Sequence, residues 1–186
     1  MAMRDRGVIA IGASSDPNPP PIAVEKTREF AKTLAKYKDE VLLLTGGDGG
    51  LMRISCEEFV KRGGVTVGVI PLEDEWINID HPRYNPYNTI EIFTGVTYQA
   101  RSIQIARSCH AMVILGGGAG TIIEAFLAYL YRKPLIVLIG TGYPSDKLAE
   151  FGEDGYLDHR RLTKAYFTED PVEAAELAYK LAKSRS

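Results

Sequence analysis

The residues with the most chemical potential lie in one short stretch, Gly117-Gly118-Ala119-Gly120-Thr121, with Glu124 three positions further on. The apolar run Ala111–Leu115 leads into it, and a strongly apolar segment to Tyr131 follows. A buried strand, a tight glycine turn and a helix start make an anion cradle. Glycines let backbone N–H groups approach a phosphate, and the helix N-terminus adds partial positive charge. Glu124 would place a carboxylate in the first turn of that helix, suited to proton transfer or to stabilising a developing positive charge. The same residues have a structural explanation. Thr121-Ile122-Ile123-Glu124 has the form of a capping box, in which both side chains satisfy the helix's own donors, and the glycines would then serve only close strand–helix packing.

A second glycine turn, Thr45-Gly46-Gly47-Asp48-Gly49-Gly50, follows the apolar run Val41–Leu44. A third turn, with Ser14 and Ser15, follows the run Val8–Gly12. Loops at the carboxyl ends of parallel strands share one rim of a sheet, so Gly46, Gly47 and Ser14 are expected to face the same ligand as Gly117–Thr121. Arg101, on the helical stretch before the central strand, is a fork suited to phosphate or ribose oxygens, though an arginine on a helix is more often a solvated one. Several chemistries are disfavoured. No G-K-[ST] phosphate loop, G-x-G-x-x-G turn or G-x-S-x-G elbow is present. His81, His110 and His159 have no metal-ligand spacing with each other or with the cysteines. Neither a metal nor a cofactor is expected.

These groups need a scaffold, and the apolar periodicity supplies one. Strands are predicted at Val8–Gly12, Val41–Leu44, Val65–Ile70, Thr89–Phe93, Ala111–Leu115 and Leu135–Ile139, with Tyr166-Phe167 as a short edge strand. Helices are predicted at Ile22–Lys38, Leu51–Arg62, Val96–Cys109, beyond the central glycine turn, and after Asp170-Pro171, where Asp170 reads as N-cap. Ala100, Ile103 and Ala106 are expected to form the apolar face of the third helix, and Val172, Leu177 and Leu181 that of the last. Gly140–Lys164 reads as largely loop, as does Pro71–Asn88, whose arginine and aromatic residues would either cover a base or pack on the surface. Alternating strands and helices imply an α/β, Rossmann-like, doubly wound and mainly parallel sheet with helices on both faces, in a single domain over residues 1–186.

Composition narrows the setting. A net charge of -2 in 186 residues gives no general attraction to nucleic acid or an anionic membrane. No apolar run approaches the roughly 20 residues of a membrane span, and the first strand begins too soon for a secretory signal. Cys56 and Cys109 are expected as buried thiols, which places the chain in a reducing cytoplasm.

Taken together, the motifs resemble the cytokinin-activating phosphoribohydrolases, the lonely-guy proteins often labelled lysine decarboxylases. Their hallmark is P-G-G-x-G-T-x-x-E, preceded by an arginine on the upstream helix and, earlier, by a G-G-G-x-x-G-L-M turn. Gly117–Glu124 matches the hallmark after its first residue, Arg101 and Arg107 fall where that helix carries arginines, and Gly46–Met52 resembles the earlier turn. Gly116 stands where the hydrolases have proline, and Ser102 where they usually have lysine. The G-G-G-x-G-T form is closer to a sister group, the molybdenum-cofactor carrier proteins, which share the fold but act by binding. The wider superfamily also contains nucleotide-sensing domains. The resemblance implies cleavage of the N-glycosidic bond of a nucleoside 5′-monophosphate. Glycine turns would hold the phosphate, Glu124 would move the proton and Arg101 would orient the phosphoribosyl group. The alternative it leaves is a non-catalytic carrier or sensor of a phosphorylated pterin or nucleotide. It also implies dimers or larger assemblies, consistent with a helix Ile122–Tyr131 that is apolar nearly all round.

Overall fold

The computed structural model describes residues 6–184. The outermost ends of the expected 1–186 domain, including the first residues weighed as a leader, therefore lie outside the described residues. The chain runs β1 (Gly7–Ala13), α1 (Pro21–Leu34), β2 (Val41–Thr45), α2 (Gly50–Val60), β3 (Thr66–Ile70), β4 (Ile90–Phe93), α3 (Tyr98–Ser108) and β5 (Ala111–Gly116). It continues through α4 (Ala119–Leu130), β6 (Leu135–Leu138), the one-turn α5 (Leu148–Phe151), β7 (Ala165–Thr168) and α6 (Pro171–Lys183). All seven strands pair in parallel, in the order β4-β3-β2-β1-β5-β6-β7. The chain winds outward one way from β1 to β4, then returns to β5 and winds the other way. The β1/β5 boundary is thus the topological switch point, where open α/β sheets form their ligand crevice.

Buried strands with apolar side chains on both faces need a helix layer on each side. Ile9, Ile11, Leu43, Val113 and Leu115 pack on one face with Phe30, Leu34, Phe59 and the alanines of α6. Ala10, Leu44, Met112 and Ile114 pack on the other with Ile105, Ala125, Ala128 and Tyr129 of α3 and α4. Cys56 belongs to the first cluster and Cys109 to the second, so the two thiols lie on opposite faces of the sheet, both buried and unpaired.

Two expectations about helix faces and one about a helix cap need correction. In α3 the buried residues are Arg101, Ser102, Ile105 and Ala106, whereas Ile103 is exposed. The helix is turned so that two polar residues point inward, a phase that an apolar count cannot find. In α6 the sheet is met by Ala174, Ala175, Ala178 and Ala182. Val172 is exposed, and Leu177 and Leu181 pack at the margin. Small side chains allow a close approach: a Cβ built on Gly7 of β1 would stand 3.1 Å from that of Ala182. The N-cap of α6 is as expected, with the Asp170 carboxylate accepting from Val172 N–H at 2.8 Å. The central helix, α4, starts at Ala119 with Gly118 as N-cap and without a side-chain capping bond. The Thr121/Glu124 capping box therefore does not form, and Glu124 sits in the second turn of the helix.

Candidate functional site

At the switch point the ends of β1, β2 and β5 surround a cavity of about 380 Å³. One wall is the start of α4. The first N–H groups of a helix have no acceptor within it, and among the described residues nothing else accepts from Gly118, Ala119, Gly120 or Thr121. Gly118 and Gly120 have open space where a Cβ would stand. This is the exposed, donor-rich surface expected of an anion site at a helix N-terminus.

Gly117 has a different role. Its N–H donates to Ser145 Oγ and its carbonyl accepts from Ser145 N–H, both at 3.0 Å. A Cβ on Gly117 would collide with the Thr121 hydroxyl, so packing alone requires a glycine here. Gly116 before it has φ +123°, and its carbonyl accepts from Ser14 N–H at 2.8 Å. Proline fixes φ near −65°. The Gly-for-Pro departure from the hydrolase motif is therefore built into the backbone.

Gly46 and Gly47 do not line this cavity. The Gly47 N–H is taken by Thr45 Oγ1, and the start of α2 is occupied by the loop after β1, with Leu51 N–H donating to Ser14 O at 2.8 Å. The lining residue from this turn is Asp48, which the sequence reading passed over as part of a glycine run. Asp48 is 4% exposed and accepts from Gly49 N–H at 2.6 Å. Burial pushes its carboxyl above the usual range. Ser14 does line the cavity, and its backbone joins the three turns together.

Arg101 is 6% exposed, not solvated. It donates to the Gly46 carbonyl at 2.6 Å and lies 5.2 Å from the centre of the Tyr98 ring. A Cβ on Gly46 would strike the guanidinium, which explains the glycine there. Arg101 Nε is buried without a partner. Glu124, 7% exposed, lines the cavity with its Oε1 3.1 Å from Ser102 Oγ, and its other side backs onto Gly12 of β1. Burial raises its pKa to about 7, while the Arg101 charge and the Ser102 hydrogen bond pull the other way. Ser102 occupies the position where the hydrolases carry lysine, and here a hydroxyl serves the carboxylate.

The long segment after β3 is anchored to this rim. Asp74, buried, forms an ion pair with Arg83 and accepts from the Tyr98 hydroxyl, while Tyr98 lines the cavity. Arg83 is thereby held by protein, and Trp76 stands exposed.

A seven-stranded parallel sheet with helices on both faces and a cavity at its switch point defines the class, an α/β Rossmann-like protein. Within that class the chain belongs to the SLOG cluster4 family, whose model matches residues 6–172. This places it in the superfamily of lonely-guy and lysine-decarboxylase-like proteins, near the molybdenum-cofactor carrier branch. It is similar to TM1055, a structural-genomics target, at 31% identity and TM-score 0.82, covering 94% of this chain and 99% of that one. It is also similar to the molybdenum cofactor carrier protein of Chlamydomonas reinhardtii, at 25% identity and TM-score 0.73, covering 95% and 98%. An uncharacterised protein of Archaeoglobus fulgidus is 32% identical over 87 residues. That match spans 47% of this chain and about half, 52%, of the archaeal protein.

Proposed function

We propose that the cavity binds a phosphorylated small molecule and that the protein is a phosphoribohydrolase, splitting a nucleoside 5′-monophosphate with water into base and ribose 5-phosphate. The observation that carries the reading is Glu124, a buried carboxylate with its pKa raised to about 7 beside the unpaired donors of α4. A general base works best with a pKa near the operating pH, which is where this environment holds Glu124. The phosphate sits on the N–H groups of Gly118–Thr121. Ionised Glu124 steadies the oxocarbenium-like carbon as the C1′–N bond breaks and its electron pair leaves with the base nitrogen; it then takes a proton from the water that adds to C1′, and that proton passes to the departed base. Arg101 keeps the Gly46 turn in place and lends its positive charge to the side of the cavity where the phosphoribosyl group would lie.

A second reading, a carrier of a phosphorylated pterin, draws on Gly116 and Ser102, which depart from the hydrolase pattern, and on the likeness to the algal carrier protein. Incubation with a panel of purine 5′-monophosphates, followed by detection of ribose 5-phosphate, separates the two. The hydrolase reading expects release that Glu124→Gln abolishes. Tight binding without release from any of them would leave the carrier.

Both readings keep the ligand small, with neither nucleic acid nor a membrane as partner. Among the described residues no helix is long and apolar enough to cross a membrane.

A further inference from the structure

Asp48 is the group at this site that neither the phosphate nor the hydrolytic step uses. Its carboxylate has one hydrogen-bond partner, the neighbouring Gly49 N–H on Oδ1, and Oδ2 has none among the described residues. Burial and the nearby Asp74 push the carboxyl up, against the pull of Arg83 and Arg101. Oδ2 is not among the polar atoms sealed from solvent, so this otherwise buried carboxylate opens onto the cavity and takes its remaining donors from whatever fills it. The side chain lines the cavity together with Met52 and Tyr98, a thioether and a phenol ring, and lies close enough to Tyr98 for its charge to raise that phenol.

Its place in the fold indicates what approaches it. Asp48 follows β2 and the phosphate donors follow β5, with β1 between them. Two strand spacings separate these turns by roughly 10 Å, comparable with the reach from the phosphate of a mononucleotide to the far edge of its ring. A ligand held by its phosphate at α4 therefore brings its heterocycle toward Asp48.

We propose that Asp48 selects that heterocycle, and that the ligand is a phosphorylated guanine or pterin rather than an adenine. Guanine and pterin share an edge with a ring N–H beside an exocyclic amino group, a donor pair that one carboxylate accepts in parallel. Adenine presents its amino group beside a ring acceptor, which would face a carboxylate oxygen without a proton between them. A site built for one hydrogen-bond pattern rejects the ligand that leaves its buried group unpaired. Met52 supplies apolar surface for the ring, and Tyr98, with the Arg83 and Arg101 guanidiniums over it, borders it.

The proposal rests on the phosphate-holding reading, and the test keeps the two apart. Calorimetric titrations would use the Glu124→Gln protein, to prevent turnover, with GMP, a pterin monophosphate, AMP and guanosine. They would be repeated with Asp48→Asn added, since asparagine retains an acceptor for Gly49 N–H. The expected result is that GMP or the pterin monophosphate binds at least about tenfold more tightly than AMP. The tighter of the two names the source, and Asp48→Asn removes the advantage without weakening AMP. Phosphate-dependent binding that is equal for all three, or weakened equally by Asp48→Asn, overturns the selection and leaves the phosphate site intact. Guanosine binding as tightly as GMP, or no binding at all, overturns both.

Discussion

Glu124 and Arg101 are the two residues whose surroundings matter most. The folded protein holds the Glu124 proton up to about pH 7, whereas the unfolded chain releases it near 4.5. A raised carboxyl favours the folded state most below the unfolded value and loses that advantage as pH rises through the folded one. Stability should therefore decline between about pH 4.5 and 7 and level off above. Glu124→Gln should flatten this decline and be the more stable protein at pH 8, by on the order of 3 kcal/mol. Urea denaturation at pH 5 and pH 8 checks it; the same pH dependence in both proteins would mean that Glu124 ionises normally. Arg101→Met should strip the Gly46 carbonyl of its charged donor and cost about 1–3 kcal/mol, read as a lower urea midpoint. An unchanged midpoint would make the Gly46 bond incidental.

The glycine turn after β5 was legible as a whole but not residue by residue. Spacing alone located a strand, a turn and a helix around Gly116–Thr121, because apolar periodicity and glycine content are local signals. It did not show that Gly117 serves Ser145 while Gly118 and Gly120 face the cavity, because Ser145 is brought back by a loop 28 residues on. The inward turn of Arg101 and Ser102 on α3 was hidden for a related reason: buried polar residues break the apolar count that sets a helix's phase. The turn's own chemistry can be tested with two glycines. Gly120→Ala has room for its methyl group and lies inside a helix, so it should add roughly 0.5–1 kcal/mol of stability while hindering a phosphate at the helix start. Gly116→Pro cannot adopt φ +123° and should unfold the turn, costing about 3 kcal/mol or more. Thermal melts of both, beside ligand titrations of the first, check these outcomes. A Gly116→Pro protein that melts like the parent would contradict the assigned backbone.

For the whole molecule, the sheet order brings three turns to one rim and leaves some apolar surface uncovered. Ile123 and Leu130 of α4 are 48% and 46% exposed, and Ile103 of α3 and Tyr131 after α4 are exposed as well. The sequence showed that α4 is too apolar for one face. The fold accounts for Ala125, Ala128 and Tyr129 and leaves these others on the surface. We expect them to meet a second copy of the chain. Burying such a side chain contributes about 1.5–3 kcal/mol before the cost of association. Light scattering should give a dimer or larger assembly that Leu130→Glu reduces to a monomer; a monomeric parent at micromolar concentration rejects the assembly. Because Ile123 also lines the cavity, the assembly would border the site. The account depends above all on α4 holding a phosphate with its unpaired N–H groups, and the direct measurement is calorimetric titration of the Glu124→Gln protein, which does not split GMP, with GMP and with guanosine. It predicts that GMP binds at least tenfold more tightly, with the difference reduced in Gly120→Ala. Equal affinities for the two ligands would contradict it.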